Sequence, residues 1–559
     1  MENNTLQIQI SENKQNTIVL NQFFAKENKV AYLRETILRF GIKTAECDIE
    51  INESLDNNTI LISDNIMKKM MIPAFADYQL KTVNNELILG PVIGILVGQT
   101  NEVLYKRIRL LENHVRHYQK IGGLICAFTL DEMNKNDLTV EGIIYNYKKG
   151  VWEKSTIPYP SSILKRSSLN QEEREYFKSI YGDRIFNYKP IDKWGIYDRL
   201  SQFPELERYL PKTGLYKTSK DIINFLNEYK DIYVKPLGGN RGRGIYNIVK
   251  DNNTIYIRSR EEGENIELVI ENETDLTKFI KKTFKTNRYL IQETLDLQVE
   301  NRSIDFRIGL DKNQSGNWQN NMFVTRISGE NSIVSNVATS GGYVAYPTDA
   351  LKQFYGYSEQ EATEVEEKLK EIALLTAARL DQTGYSFGKL AFDIAIDTNK
   401  QIWIIEVNNQ NPNDTILKGL TKNEEMHHEI KLQNMLYSKY LAGFSDKDVN
   451  EYYHVSNSND NFILEEGEEL RYLMHIGVPL KPKSYSKYVK SLAEDMGLKG
   501  TINKFSKFII RIEIEGESSL LNKFINKARE SKYTLKGFVI EEISPLGDET
   551  GMEIEKDLN

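Results

Sequence analysis

The chain has 559 residues, a length that predicts three or four domains of ordinary size. Its apolar content of 40% is enough for hydrophobic cores, and its net charge of −8 argues against nucleic-acid binding through a globally basic surface. Two cysteines are too few for a disulfide framework, and the six histidines show no zinc-binding spacing. There is no apolar signal region and no apolar run of about 18 residues, so we expect a cytoplasmic protein without membrane insertion.

The first two predicted domains differ in their apolar patterns. Residues 1–90 alternate short apolar runs with polar turns, which predicts a β-rich N-terminal domain, with one helix around residues 30–40. Residues 91–190 begin with the continuous apolar run GPVIGILVG, followed by a helix over residues 102–121 and a second apolar strand, GLICAFTL. This strand–helix–strand order predicts an α/β domain with a buried parallel sheet.

The chemical motifs all lie in residues 191–443. A helix with apolar positions from Val365 to Leu380 is expected to pack against the sheet of that region. Residues 444–466 are polar and rich in turn formers, which predicts a linker. Residues 467–547 follow the order strand, helix, strand, strand, helix, strand, which predicts a small βαββαβ sandwich. The fold class is therefore a multidomain mixture of α+β and α/β units.

The most informative motif is AFDIAIDTNKQIWIIEVNNQNP, in which two apolar runs flank a polar turn and predict a β-hairpin. Centring the turn on Asn399–Lys400 places Asp393 opposite Glu406, with Asn408 farther along the same face. Such oxygen ligands suit Mg²⁺. The alternative is a pair of solvated carboxylates on an exposed face. The other face is expected to hold Phe392, Ile394, Ile396, Trp403, Ile405 and Val407.

A second motif, IYVKPLGGNRGRGIYNIV, places a lysine and a glycine-rich loop between two predicted strands. Lys235 can present a point charge to phosphate oxygens. Gly238, Gly239, Gly242 and Gly244 let the backbone approach a polyphosphate and offer N–H donors to it. The two flanking strands distinguish this loop from a P-loop or a dinucleotide-binding turn. A flexible hairpin loop is the alternative.

Two more segments contribute polar side chains. The run YLIQETLD, with Gln292, Glu293 and Asp296, could present backbone N–H and C=O groups to an adenine edge and an acid to a ribose, although an ordinary edge strand would look the same. In SIDFRIG, Asp305 and Arg307 share one face of a strand, and Arg326 lies on the next predicted strand. Two arginines near a phosphate site would stabilise charge on a transferred phosphoryl group. The alternative is a surface ion pair of little energetic value.

The order and spacing of these segments resemble the ATP-grasp fold, in which two α+β subdomains hold ATP between antiparallel sheets. More closely, DKWGIYDRLSQFPELERYLPKT, YVKPLGGNRGRGI, YLIQETLDL and DFRIGLDKN resemble the YheC/YheD family of endospore coat-associated ATP-grasp proteins. That similarity covers most of residues 90–440. The resemblance implies that Lys193 and Lys235 hold the α- and β-phosphates of ATP. It also implies that two Mg²⁺ ions bind the triad Asp393, Glu406 and Asn408, with Glu406 as the bridging acid.

The same resemblance implies roles for the remaining motif residues. The loop over residues 238–244 would close over the γ-phosphate, with Arg326 and Arg307 as catalytic groups beside it. Gln292, Glu293 and Asp296 would contact the nucleotide. Asn336 and Gly341–Gly342 would face the acyl substrate.

The implied activity is an ATP-dependent ligase that joins a carboxylate to an amine or related nucleophile through an acylphosphate. Its partners would be ATP, a carboxylate-bearing peptide, amino acid or cell-envelope-type substrate, and the nucleophile, with no nucleic acid. Two alternatives stay open. One is an ATP-binding, spore-associated structural or assembly protein with little turnover, and the other is a phosphotransferase that stops at the phosphorylated substrate.

Residues 467–547 resemble acylphosphatase, most clearly in SKYVKSLAEDMGLKGTINK. The catalytic arginine position of that family falls on Ser486, and its asparagine position falls on Lys504, one residue after Asn503. The loss of both groups implies a non-catalytic module. Through it the chain could bind a peptide or protein partner, or associate with itself.

Overall fold

The computed structural model describes most of the chain, in the ranges 5–12, 14–27, 30, 32–238, 244–261, 264–330, 341–412, 416, 425–444, 469–477, 482–506, 509–529, 538–543 and 552–554. It divides into two units. The first comprises Met1–Phe186, Gln314–Gly316 and Lys431–Asn559, and the second comprises Asn187–Asn313 and Asn317–Ile430.

The N-terminal region is a mixed seven-stranded sheet, as its alternating apolar runs predict. Its elements are β1 (Gln7–Ser11), β2 (Thr17–Leu20), α1 (Gln22–Glu27), β3 (Glu35–Phe40), β4 (Lys43–Ile51), β5 (Thr59–Ser63), α2 (Asp64–Met70), β6 (Gln79–Val83) and β7 (Glu86–Gly90). The strand order is β1-β5-β2-β4-β3-β7-β6. The helix predicted around residues 30–40 is wrong, because alternate side chains of β3 are buried and a period of two fits a strand.

The next region is the predicted α/β domain. Its elements are β8 (Val92–Gly98), α3 (Asn101–Val115), α4 (Tyr118–Ile121), β9 (Leu124–Asn134), β10 (Thr139–Asn146), β11 (Val151–Pro158), β12 (Ser162–Lys165) and α5 (Gln171–Tyr181). Strand β8 pairs in parallel with β9 and β12, and every residue in it is buried. The continuous apolar run GPVIGILVG is therefore a buried parallel strand, as predicted.

The second unit begins with helices α6 (Lys193–Leu200) and α7 (Pro204–Glu207) and an antiparallel sheet. The other elements of this part are β13 (Thr213–Leu215), α8 (Ser219–Tyr229), β14 (Asp231–Pro236), β15 (Tyr246–Asp251), β16 (Thr254–Glu261), β17 (Glu264–Ile270), α9 (Glu273–Thr283) and β18 (Tyr289–Glu293). The strand order is β13-β18-β14-β15-β16-β17. Helices α8 and α9 contribute their apolar faces to the core of this sheet, through Ile222, Leu226, Leu276 and Ile280.

A second antiparallel sheet completes this unit. Its elements are β19 (Gln298–Val299), β20 (Arg302–Lys312), β21 (Trp318–Ile327), β22 (Tyr343–Ala345), α10 (Pro347–Tyr355), α11 (Glu359–Asp381), β23 (Lys389–Ile396) and β24 (Ile402–Asn408). The strand order is β22-β21-β20-β23-β24, and β19 pairs with β20. Helix α11 shares a core with β23, so the predicted packing of its apolar face is confirmed. Two α+β halves, each with its own antiparallel sheet, agree with the expected ATP-grasp architecture.

The C-terminal elements are α12 (Glu425–Leu441), β25 (Glu469–Gly477), α13 (Pro482–Asp495), β26 (Lys499–Ser506), β27 (Ile509–Glu517), α14 (Ser518–Arg529), β28 (Phe538–Ile543) and β29 (Met552–Ile554). The predicted βαββαβ order is confirmed, and Ser486 is buried. Strand β28 pairs in parallel with β11, which creates one ten-stranded sheet, β12-β8-β9-β10-β11-β28-β25-β27-β26-β29. Among the described residues, no helix has the length and apolar character to cross a bilayer.

Candidate active site

The hairpin of β23 and β24 brings the predicted triad together. Asp393 pairs with Glu406, and Asn408 pairs with Ala391. The register shifts between Asp393 and Ile394, so that Ile394 pairs with Ile404. The predicted pairing is therefore confirmed at the open end of the hairpin, and the pairing near the turn is displaced by one residue.

This irregularity corrects the predicted core face of β24. Ile404 and Val407 are buried in the core, with Ile402 packed against it. Trp403 and Ile405, which were expected there, lie outside that cluster, and the Trp403 indole N–H donates to Asp397 Oδ2 at 2.9 Å. Side chains alternate along a strand, so one extra residue in β24 moves the β24 side chains nearer the turn to the opposite face of the sheet.

A ladder of arginines and aspartates crosses the sheet beside the triad. Asp305 on β20 pairs with Arg326 on β21, and Arg307 on β20 pairs with Asp393 on β23. Arg326 donates from Nε and Nη2 to the two oxygens of Asp305, at 2.6 and 2.8 Å. Arg307 donates from Nε to Asp393 Oδ1 and from Nη2 to Oδ2, the latter at 2.8 Å. Both pairs have the two-pronged geometry that fits guanidinium to carboxylate.

Asp393 is the centre of this ladder. It is 4% exposed, and Arg326 Nη2 lies 3.0 Å from its Oδ2. Asn408 donates from Nδ2 to the same oxygen at 3.4 Å. Burial opposes ionisation of Asp393, but the guanidinium groups of Arg307 and Arg326 hold its pKa below the usual value. Burial likewise disfavours the charge on Arg326, and Asp393 and Asp305 raise its pKa above the usual value. The alternative of a surface pair between Asp305 and Arg307 is therefore wrong, because Asp305 is buried and accepts from Arg326.

Lys193 is the first residue of α6, directly after its N-cap. The Asp192 carboxylate accepts a hydrogen bond from Gly195 N at 2.7 Å, and so satisfies a free amide of the first turn. Lys193 Nζ lies 3.0 Å from Glu406 Oε1. The lysine implied by the family resemblance is thus beside the triad, although about 200 residues separate the two in sequence.

Lys235 brings a second ammonium group to the same place from the other sheet. It is the second-last residue of β14 and donates from Nζ to Gln292 Oε1 on β18 at 2.6 Å. Burial and, to a lesser extent, the nearby charge of Lys193 lower the pKa of Lys235 to about 8, and Glu406 acts in the opposite direction. Two crowded lysines held partly out of water would favour an anionic ligand.

The loop after Lys235 joins two antiparallel strands, β14 and β15, as the sequence predicts. Gly244 has φ +71°, in the left-handed region that glycine adopts without strain. Gly238 has open space around the position of a side chain. Gly239 and Gly242 lie outside the described residues, so their phosphate-binding role stays a prediction.

The predicted nucleotide residues on and after β18 have structural partners. Glu293 Oε1 accepts from Lys212 N at 2.7 Å. Asp296 Oδ2 accepts from Thr398 Oγ1 at 2.8 Å, at the turn of the triad hairpin. Both carboxylates therefore brace neighbouring segments, and their contact with adenine and ribose stays a prediction.

The predicted acyl-substrate segment is only partly described, since Asn336 lies outside the described residues. A Cβ on Gly342 would lie 2.0 Å from the carbonyl oxygen of Ile327. Glycine is needed there because the chain passes against β21, which does not by itself indicate a substrate contact.

Two buried asparagines beside the site were missed by sequence reasoning. The Asn409 side chain donates from Nδ2 to Ile191 O and accepts at Oδ1 from Ile191 N, both at 2.9 Å. Asn187 Nδ2 donates to Asn409 O and to Lys389 O, both at 2.7 Å. The only signal was the paired asparagines in EVNNQNP, which does not reveal partners more than 200 residues away.

The donor set at the hairpin end fits Mg²⁺ with substrate oxygens better than a site made of protein ligands alone. In the part of the chain that the structure describes, no three His, Cys, Asp or Glu side chains are grouped closely enough to hold a metal. Asp393, Glu406 and Asn408 would supply two carboxylates and an amide. Mg²⁺ is commonly bound in this way, with phosphate and water completing its shell.

Comparison with known proteins supports the ATP-grasp interpretation. Residues 182–441 match the family model described as "YheC/D like ATP-grasp". The chain is 25% identical over 427 residues to endospore coat-associated protein YheD of Bacillus subtilis (strain 168), covering 73% of this chain and 91% of that protein. It is 28% identical over 163 residues to glutathione synthetase of Buchnera aphidicola subsp. Baizongia pistaciae (strain Bp), covering 29% of this chain and 46% of that protein.

Two solved structures are also similar. The ATP-grasp ligase PsnB, complexed with minimal precursor, is 12% identical and covers 59% of this chain and 94% of its own, with a TM-score of 0.35. Acylphosphatase from Bacillus subtilis is 16% identical and covers 15% of this chain and 98% of its own, with a TM-score of 0.15. Residues 182–441 are therefore a YheC/D-like ATP-grasp domain, and the similarity to YheD extends over 73% of the chain.

Proposed function

We propose that this ATP-grasp protein is a ligase that uses ATP to join a carboxylate to an amine or related nucleophile. The observation that carries the proposal is the convergence of Lys193, Lys235, Arg307 and Arg326 around the triad hairpin. These four cations outnumber the carboxylates Asp305, Asp393 and Glu406, so the site has positive charge available for a polyphosphate.

Each cation has a distinct task in this proposal. Lys193, at the start of α6, and Lys235, near the end of β14, bind phosphate oxygens and so orient the nucleotide. Arg307 on β20 and Arg326 on β21 lie on neighbouring strands, both beside Asp393, and stabilise the charge that develops on the transferred phosphoryl group. Asp305 holds Arg326 by two hydrogen bonds, which keeps its planar head aimed at Asp393.

Asp393, Glu406 and Asn408 are the proposed ligands of Mg²⁺, which would neutralise phosphate charge when it is bound. Glu406 would be the more accessible of the two carboxylate ligands, because its side chain is 35% exposed and Asp393 is enclosed by two arginines. The protein itself orients these oxygens and excludes water around Asp393.

The proposed reaction has two transfers. An oxygen of the substrate carboxylate bonds to the γ-phosphorus while the bond to the β-phosphate oxygen breaks, which yields an acylphosphate and ADP. The nucleophile then attacks the acyl carbon, loses a proton to solvent and displaces inorganic phosphate. The substrate class is a peptide, an amino acid or a cell-envelope-type carboxylate.

The test is a screen for ADP release against amino acids and peptides, with mass analysis of the products. In the parent protein, ADP and phosphate should form with an active pair of co-substrates, together with a condensed product. The Glu406→Gln variant should lose at least a hundredfold of this activity while it stays folded, since it removes a principal metal charge. Glu364→Gln, a matched change on an exposed residue of α11, should keep the parent rate. Turnover by Glu406→Gln at the parent rate would contradict the assignment of Glu406 as a Mg²⁺ ligand.

A second candidate is an ATP-binding assembly protein of the spore with little turnover. The similarity to YheD favours it, since that relative is named as endospore coat-associated. The discriminating result is nucleotide binding in the parent protein without ADP release for any co-substrate. A phosphorylated product that accumulates without condensation would instead identify a phosphotransferase.

A further inference from the structure

We infer that Asn409 is a positioning residue for the nucleotide, because it fastens the segment that leads to Lys193 onto the end of the hairpin that carries Glu406 and Asn408. The inference rests on the proposed nucleotide site, and it adds a residue that contacts neither phosphate nor metal.

The contact between Asn409 and Ile191 is reciprocal. The amide of Asn409 donates to the carbonyl and accepts from the N–H of the same residue, both at 2.9 Å. Asn409 is 5% exposed, so neither bond is readily replaced by water. This is the pairing that a neighbouring strand would make, here supplied by one side chain.

Asn187 adds further hydrogen bonds between the segment before Lys193 and the hairpin. Besides its two bonds to the carbonyls of Lys389 and Asn409, its Oδ1 accepts from Gly388 N at 2.9 Å and from Lys389 N at 3.0 Å. Its backbone has φ +53°, a left-handed conformation that asparagine tolerates better than most residues. The two asparagines together tie residues 187–191 to the start of β23 and to the residue that follows β24.

The geometry of Lys193 follows from this attachment. Ile191 is two residues before Lys193, and Asn409 directly follows the triad residue Asn408. Lys193 is the first residue of α6, so its Cα is held where the helix begins. The attachment therefore keeps the root of the lysine side chain at a constant distance from Glu406.

Electrostatics explains why the attachment is needed. Lys193 lies near enough to Lys235 for its charge to add to the effect of burial in lowering the pKa of Lys235. Repulsion between the two ammonium groups opposes their approach before the nucleotide arrives, and Glu406 offsets it in part. Hydrogen bonds from neutral amides hold the segment in place without cancelling the positive charge that a phosphate requires.

The experiment is a double-mutant cycle on the full chain, with Mg·ATP as the probe and calorimetry as the measurement. Asn409→Ala should weaken Mg·ATP binding roughly tenfold, about 1.4 kcal/mol. In a Lys193→Ala background, the same change should weaken binding by less than about twofold, since its effect passes through the lysine. A residue with only a structural role would weaken binding equally in both backgrounds.

The matched control is Asn247→Ala. Asn247 is also a buried asparagine of this unit, and its Nδ2 donates to Asp231 Oδ1 at 2.6 Å, away from Lys193. The Asn247→Ala change should lower the stability of the protein and leave its Mg·ATP affinity within about twofold of the parent. If Asn409→Ala does not fold, Asn409→Asp, which keeps the acceptor and replaces the donor, takes its place in the cycle.

The outcomes separate this inference from the proposed function. No Mg·ATP binding by the parent protein would overturn both. Two results would overturn the positioning role alone, provided that the parent protein binds Mg·ATP. One is an equal loss of affinity in the Asn409 and Asn247 variants. The other is an equal effect of the Asn409 change in the parent and in the Lys193→Ala background. The positioning role is established if Mg·ATP affinity falls on substitution of Asn409 but not of Asn247, and if that fall disappears in the Lys193→Ala background.

Discussion

At the residue scale, the site depends on neighbours across strands that set the charge of each group. Asp393 stays ionised although it is buried, because Arg307 and Arg326 both donate to it. Removing one partner of such a buried set leaves an uncompensated charge, so these residues act as a group rather than singly. The two lysines lack this compensation, because Glu406 is the single carboxylate that both of them face among the described residues.

The lowered pKa of Lys235 predicts that Mg·ATP binding takes up a proton under mildly alkaline conditions. With its pKa at about 8 in the free protein, Lys235 is largely neutral at about pH 8.5 and protonated below pH 7. Bound phosphate favours the ammonium form and raises this pKa. Binding at about pH 8.5 should therefore take up between about half and one proton, and affinity should fall as pH rises through 8. Calorimetry in buffers of different ionisation enthalpy measures the uptake.

Lys235→Arg is the matched control for this prediction. A guanidinium stays protonated over the whole range, so this variant should show no uptake from this position. Near pH 7 the parent and the variant should agree, because both side chains are then charged. Equal proton uptake in the two proteins at about pH 8.5 would contradict the assigned role of Lys235.

At the element scale, helix α11 and the triad hairpin depend on each other. The helix buries Leu369, Ile372 and Leu380 in the core that also contains Phe392 and Ile394 of β23. The bulge between Asp393 and Ile394 keeps Ile404 in that core while Glu406 stays opposite Asp393. The apolar packing of one face of the hairpin against α11 therefore fixes the positions of Asp393 and Glu406 on its other face.

Truncation of this core should weaken the unit without touching a charged group. Leu369 is fully buried, so Leu369→Ala should destabilise the unit by about 2–5 kcal/mol through lost packing and the cavity left behind. Urea denaturation monitored by circular dichroism measures the change. The neighbouring exposed change Lys368→Ala should stay within about 0.5 kcal/mol of the parent. A cost for Leu369→Ala no larger than that of the control would show that the helix does not pack as described.

At the scale of the whole molecule, one strand joins regions that are far apart in sequence. Strand β11 gives Val151 to the core of the C-terminal elements and Trp152 to the core of the α/β domain. Its pairing with β28 continues the same sheet across both. The C-terminal elements β25–β28 are therefore integrated into the first unit, and one edge of them is covered by the chain itself.

This continuity predicts joint unfolding of the α/β strands and the C-terminal strands. Backbone amides of β10 and β25 should exchange with solvent at the same denaturant concentration, since opening one side of β11 exposes the other. Hydrogen exchange followed by mass spectrometry measures both segments at once. Glu153→Pro, which interrupts β11 between its two neighbours, should separate the two transitions. Two independent transitions in the parent protein would contradict the shared sheet.

The sequence by itself determined the features that are local. The hairpin, the pairing of Asp393 with Glu406, the two strands around the glycine-rich loop and the apolar face of α11 follow from periodicity and turn chemistry over 20 residues or fewer. The family resemblance added Lys193, which no local pattern singles out.

Only the tertiary structure decided what depends on strand pairing between distant segments. It joined Arg326 to Asp305 and Asp393, attached Ile191 to Asn409, made residues 35–40 a strand, and paired β11 with β28. The physical reason is that a hydrogen-bonding side chain or strand edge has the same sequence signature whichever partner it meets. Packing of the whole chain selects that partner.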